Sequence, residues 1–341
     1  MTQTRNCIVA MDLGGTSIRA ALVDANRTVL ASTRSETLPN ARAIQDQVIG
    51  LVYVLQSSLP TTPTRVTHLC IGFPGVVHPQ TQAIRQAPNI LGMEAHSLSQ
   101  ELASTLGVPV HVENDVNLAA LAEQDMRASD GVSSLAMIAI GTGLGCGLVL
   151  QGQLWQGRDG GAGELCSLAL SHRTLEALAA LGARQNYHQA EDLVSGKGLA
   201  RLYGQLLARS SRQREPAQVI DFRQVEHIFA LAEQGDTDAH TCLDLVASEA
   251  AHTIVQLEHV LNPGLFVLAG GVGARPEFRA RVNHALKGAG LVVQASRFGG
   301  TGAGPSYLNL ETAGLAGAVL MALSHMQASA RLAAMTLPQA I

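Results

Sequence analysis

Lysine is scarce in this 341-residue chain, which holds only Lys197 and Lys287. The basic residues, nearly all arginine, form no cluster interleaved with aromatics, and the formal net charge is -4. A surface that tracks nucleic-acid phosphates is therefore not expected. No apolar run approaches the roughly 20 residues a bilayer-crossing helix requires. The opening MTQTRNCIVAMD lacks the basic segment and cleavage site of a signal peptide, so a cytoplasmic chain without a membrane partner is expected. Cys7, Cys70, Cys146, Cys166 and Cys242 lie far apart with no CxxC pair. That spacing excludes both a disulfide framework and a paired-thiolate zinc site, and buried thiols are expected. At 47% hydrophobic and 15% charged residues, the chain is apolar enough for two packed domains rather than a disordered coil.

Two common nucleotide motifs are also missing. Neither GTGLGCG at 141–147 nor GGVGARP at 270–276 matches G-x-G-x-x-G, and the first is followed by the strand GLVLQ where a dinucleotide fold needs a helix. Gly196-Lys197 is followed by Gly198 instead of Ser or Thr, so it is no P-loop.

What is present is a repeated pattern of apolar strand and glycine turn. CIVAMDLGG, THLCIGFPGVV, SLAMIAIGTGLGCGLVLQGQL and PGLFVLAGGVG each read as a buried strand entering Gly. Ile44, Val48, Leu51, Val52 and Leu55 recur at helical spacing, and helices are also expected over Leu98–Leu106 and about Asp115–Met126. Residues 172–261 read as largely helical, broken by SSRQREPAQ, with Leu243, Val246, Ala250, Ile254, Leu257 and Val260 on one apolar face. A strand near QASRF and a closing helix ETAGLAGAVLMALSHM follow. The sum is a layered α/β protein whose second half repeats the first. Three turns, at Gly14-Gly15-Thr16-Ser17, Gly141-Thr142-Gly143 and Gly270-Gly271-Val272-Gly273, offer backbone N–H groups to an anion. One such turn alone reads better as an ordinary hairpin; three at strand ends of a duplicated frame point to a nucleotide.

Taken in order, these motifs resemble the ROK family of sugar kinases and its bacterial glucokinase relatives, in the actin-like ATPase and hexokinase clan. DLGGTSIRAALVD is similar to the first phosphate motif, IGFPGVV and QAPNI to sugar-side loops, and VENDVNLAALAE to the catalytic segment. IGTGLGCGLVLQGQLWQGRDGGAGE resembles the second phosphate motif with its sugar-binding glutamate, LVSGKGLARLY a glucokinase segment, and VLAGGVG the adenosine turn. The resemblance implies a two-domain actin-like, ribonuclease H-like α/β fold with duplicated mixed five-stranded sheets and a cleft between the domains. Residues 1–118 with about 308–326 are the expected small domain, 119–307 the large one with a helical insertion, and 327–341 a tail. A homodimer is implied, and ATP, a hexose and Mg²⁺ are the implied ligands. Family repressors carry an N-terminal helix-turn-helix; the first phosphate strand here begins at about Cys7, so direct transcriptional control is not expected.

From position alone, Asn114 or Asp115 serves equally well as a helix cap. The resemblance of the whole segment makes Asp115 the expected catalytic base and Asn114 a sugar contact, with Asn89, Gly75 and Glu164 joining it. Glu176, in TLEALAA, is read as the second sugar glutamate. The ATP contacts implied are Asp12, Gly14, Gly15, Thr16, Ser17, Gly141, Thr142, Gly143, Gly270, Gly271 and Gly273. A carboxylate ending a buried strand is costly unless something positive faces it, so Asp12 is expected to meet hydrated Mg²⁺. Arg19 is expected in a structural ion pair. The sequence departs from the family where a histidine usually follows Gly-Glu: Ser167 stands there, and CSLALSHR replaces the cysteine-rich zinc loop. No structural zinc is expected, and one sugar contact is lost. His172 and His188 lie nearby in sequence, though lone histidines of this kind are commonly exposed.

Overall fold

The computed structural model describes residues 4–59, 63–88, 90, 92–95, 97–210, 225–298 and 312–336. Asn89 and most of SSRQREPAQ lie outside the described residues. The first elements are β1 (Arg5–Leu13), β2 (Ser17–Asp24), β3 (Val29–Glu36), α1 (Ala41–Ser57), β4 (Thr64–Phe73), β5 (Val76–Val77), β6 (Ile84–Gln86), α2 (Leu98–Leu106), β7 (Val110–Asn114) and α3 (Asp115–Arg127). Then come β8 (Leu135–Ile140), β9 (Leu144–Leu150), β10 (Gln153–Leu154), α4 (His172–Ala180), α5 (Ala190–Leu193), α6 (Gly196–Ser210), α7 (Val225–Glu233) and α8 (Thr237–Leu261). The chain closes with β11 (Leu265–Ala269), α9 (Gly270–Gly273), α10 (Pro276–Leu286), β12 (Val293–Ala295) and α11 (Ala313–Thr336).

Two five-stranded mixed sheets result, ordered β3-β2-β1-β4-β7 and β10-β9-β8-β11-β12. In the first, β1 pairs antiparallel with β2 and parallel with β4, and β4 pairs parallel with β7. The second repeats this: β8 is antiparallel to β9 and parallel to β11, and β11 is parallel to β12. The duplication read from the sequence is therefore present, strand for strand, in both sheets.

The chain divides into two compact units, Met1–Gly131 with Gln153–Ala162 and Arg297–Ile341, and Val132–Gly152 with Gly163–Ser296. In the first unit β1 is buried on both faces, because alternate side chains point to opposite sides of a strand. Cys7, Val9, Met11 and Leu13 join Ile44, Val48, Val52 and Leu55 of α1 in one core. Ile8 and Ala10 join Leu118 and Ala122 of α3 and Leu315, Ala316, Val319 and Ala322 of α11 in the other. α1 starts where Asn40 Oδ1 accepts the Ala43 N–H at 2.9 Å, a side-chain cap for one of the orphan donors of the first turn.

Three sequence expectations end differently in the structure. The apolar face of α8 is buried through Ile254, but Leu257 is only half-buried and Val260 is 78% exposed, so the stripe outruns its partner layer. The segment GGVG is one turn of helix rather than an open turn. α11 continues ten residues past Met326 to Thr336, since QASARLAAMT contains no Gly or Pro to stop it. Among the described residues no helix is long and apolar enough to cross a membrane.

Candidate active site

In the first unit the site grows from the end of β1. Asp12 closes that strand opposite Arg19 of β2 and Gly72 of β4. Its Oδ2 accepts a hydrogen bond from Thr312 Oγ1 at 2.6 Å. Burial pushes the Asp12 carboxyl above the usual range, while the Thr312 bond and the Arg19 charge pull the other way. The turn that follows is closed by Gly14 N donating to Ser17 O at 3.0 Å, by Thr37 N donating to Thr16 O at 3.0 Å and by Thr37 Oγ1 donating to Gly14 O at 2.6 Å. Ser17 is buried, and Gly15 and Thr16 stay exposed at the tip.

The start of α3 settles which residue caps it. Asn114 Oδ1 accepts from Val116 N at 2.9 Å and Asn117 N at 3.0 Å, and Asn114 Nδ2 donates to Gly75 O at 3.1 Å. Asn114 is thus the cap, and Asp115 occupies the first helical position, with Oδ1 2.9 Å from Val116 N. Gly75 is held where a Cβ would fall 2.1 Å from Gln86 O, so no larger residue fits. Gly314 joins the two acids: a Cβ on it would lie 3.3 Å from Asp12 Oδ1 and 3.4 Å from Asp115 O.

In the second unit three glycine-bearing segments converge. Gly141 N donates to Gly143 O at 2.9 Å, and Gly196 N, at the start of α6, donates to Gly141 O at 2.7 Å. A Cβ on Gly141 would be 4.0 Å from Gly271 N, while Gly270 holds φ +82° with its Cβ position 2.5 Å from Ile140 O. Gly273 packs on Ile140. Thr142 is exposed at the tip of the β8–β9 turn.

Two carboxylates act on one thiol nearby. Cys166 Sγ donates to Glu164 Oε2 at 3.3 Å. Burial raises the Cys166 thiol first, a hydrogen bond with Ser167 pulls it down, and the charges of Glu164 and of Glu191 both push it up. Glu191 Oε2 also accepts from Leu144 N at 2.8 Å and would be 2.4 Å from a Cβ on Gly143. Cys146, buried and beside Glu164, is pushed up to about 12, first by burial.

Glu176 is not part of this arrangement. It lies on the outer face of α4, its side chain 68% exposed and 3.2 Å from His172, while Glu191 is the carboxylate that holds the Leu144 amide. The i,i+4 pairing with His172 explains its position physically: it is a solvent-side helix contact. Glu191 lies two residues before LVSGKGLARLY, and its signal in the sequence is an acid one turn before a Ser-Gly helix start. His172 and His188 are both exposed, so neither replaces the missing histidine, and Ser167 is exposed as well.

Residues 8–322 match the ROK family. The chain belongs to that family. Among its relatives, the glucokinase of Thermotoga maritima is 26% identical over 281 residues, 79% of this chain and 83% of that protein. The N-acetyl-D-glucosamine kinase of Haemophilus influenzae is 28% identical over 268 residues, 77% of this chain and 83% of that protein. The crystal structure of a ROK family glucokinase from Streptomyces griseus, in complex with glucose and AMPPNP, superimposes with a TM-score of 0.67 at 26% identity, over 93% of this chain and 99% of that one. Sugar kinases of this family thus share both the fold and nearly the full length of the chain.

Proposed function

We propose that this ROK protein transfers the terminal phosphoryl group of ATP to a hexose hydroxyl, glucose being the first choice of acceptor. The observation that carries the reading is the division of labour at the start of α3. Asn114 caps the helix, and Asp115 follows at the first helical position, at the positive end of the helix, where a carboxylate can take a proton from an alcohol. Asn114, Gly75, Asn89, Glu164 and Glu191 supply the sugar side, Glu191 in place of Glu176. The turn Gly14–Ser17 and the segments around Gly141–Gly143 and Gly270–Gly273 supply backbone N–H groups to ATP, a role that suits a chain with only two lysines.

Asp12 fits a hydrated Mg²⁺: it is a partly buried oxygen donor at a strand end, and among the described residues no group of three or more His, Cys, Asp or Glu is arranged to hold a metal. One protein carboxylate with water and phosphate for the rest is how this cation is commonly bound. Magnesium, when bound, neutralises charge on the transferring phosphoryl group. The same reading carries a homodimeric, cytoplasmic enzyme.

An acetamido sugar is the second choice, favoured by the small Cys166 and Ser167 beside Glu164, where the family's histidine is absent. ADP release measured with glucose, mannose, fructose, N-acetylglucosamine and N-acetylmannosamine tests both. Turnover with none of the five ends the kinase reading. With the preferred sugar, Asp115→Asn is expected to lower kcat by about 10²–10⁴-fold, the usual worth of a general base, with sugar binding kept.

A further inference from the structure

Next to the cap sits a buried acid that the reaction scheme leaves unused. Glu113 is 1% exposed, and its Oε1 accepts from Asn114 N at 2.9 Å and from Asn117 Nδ2 at 2.9 Å. Its Oε2 accepts from Gln156 Nε2 and lies 3.9 Å from His111 Nε2, a buried atom without a hydrogen-bond partner among the described residues. The His111 ring in turn lies over His325 of α11, ring centroids 4.5 Å apart. A buried carboxylate needs donors on both oxygens, and these ones come from two stretches of chain distant in sequence.

Gln156 belongs to the 153–162 stretch, which is fastened to the first unit at two further points. Asp159 pairs with Arg85, and Gly160 is packed so that a Cβ would fall 2.1 Å from Val77 O. Both fasteners are at its far end. Just past β10, Glu113 holds Gln156, and it does so through the same carboxylate that holds the backbone N–H of the cap residue Asn114 and the side chain of Asn117. The neighbouring Trp155, 52% exposed, is the single tryptophan of the chain and reports on that end directly.

We propose that Glu113 is a positioning residue: its carboxylate sets Asn114 and Asp115 in register and couples them to segment 153–162 through Gln156. The inference rests on the phosphoryl-transfer reading for its kinetic half and on the fold alone for its mechanical half. Gln156→Leu removes one donor from a half-buried position and spares the core; Glu113→Ala removes the hub.

Gln156→Leu is expected to lower kcat by about tenfold, the worth of one hydrogen bond to a charged group, while KM for ATP stays within about twofold. In both variants acrylamide quenching of Trp155 is expected to rise, and in Glu113→Ala the backbone amides of Asn114, Val116 and Asn117 are expected to exchange faster while those of α1 do not. A general loss of structure would raise exchange in both places and would overturn the inference. So would quenching that stays at the wild-type value in Gln156→Leu, which decides the matter even if Glu113→Ala does not fold. A wild-type protein inactive on every sugar sinks the kinase reading but leaves the quenching and exchange results to decide the coupling.

Discussion

Gly317 lies against Leu118 so closely that a Cβ on it would fall 1.8 Å from the Leu118 carbonyl oxygen. Here α11 and α3 approach backbone to backbone, and the approach places Thr312 and Gly314 beside Asp12. A methyl group cannot be absorbed by a side-chain rotation, because the atom it meets is main chain. Gly317→Ala is expected to destabilise the protein by about 1–3 kcal/mol, the typical cost of overpacking, in urea unfolding. Thr312 loses its place against Asp12 at the same time, so activity at 25 °C falls even where the variant remains folded. Wild-type stability in Gly317→Ala would mean that the two helices are not in this contact.

Glu176, the partner for Glu164 expected from the sequence, and Glu191, found in the structure, separate cleanly by mutation. Glu191 holds the Leu144 amide beside the glycine turn, whereas Glu176 spends an exposed carboxylate on His172. Glu191→Gln is expected to raise KM for the sugar by about 10-fold or more, as a charge-assisted hydrogen bond is weakened. Glu176→Gln is expected to stay within about twofold, because an exposed helical ion pair is worth little. Steady-state kinetics on the preferred sugar decide between them, and the reverse ranking would restore Glu176.

Why one acid was legible and the other was not has a physical cause. Gly75 and Asp12 each follow a run of buried apolar residues, so the strand that carries them and the turn that presents them are both written in local sequence; Asn114 ends the short strand VHVEN just before the helix α3. The duplicated sheets are legible for the same reason, since an alternating or fully apolar strand ending in glycine has few other uses. Glu191 and Glu176 both sit in a helical stretch where every fourth residue shares a face, and spacing alone does not say which face meets Glu164. That choice is made by the β8–β9 turn, whose Leu144 amide binds Glu191 from 47 residues away. The Glu113–Gln156 tie is likewise long-range, 43 residues apart, and leaves no periodic mark. The burial of α8 fails to extend to Val260 because amphipathic spacing records what a helix offers and not where its partner ends.

Asp12 brings stability and function into opposition. Its pKa is raised in the folded state, chiefly by burial, with Thr312 and Arg19 offsetting part of the effect. An acid shifted in that direction stabilises the fold fully below its unfolded pKa of about 3.9, and that contribution is lost as pH rises through the higher folded value. Above its folded value the partly buried carboxylate is therefore a net cost in the free protein. Asp12→Asn keeps an oxygen to accept from Thr312 Oγ1 and removes the charge, so its Tm is expected to exceed that of the wild type at pH 7, with the difference shrinking toward pH 4. The same substitution removes the oxygen donor proposed for magnesium, so kcat is expected to fall by about 10²-fold or more. Magnesium with a non-hydrolysable ATP analogue then raises the Tm of the wild type by mass action, and does so much less in Asp12→Asn. A variant less stable than the wild type at pH 7 would show that the Arg19 and Thr312 interactions outweigh desolvation. Equal stabilisation of both proteins by the magnesium nucleotide would remove Asp12 from the metal's coordination sphere.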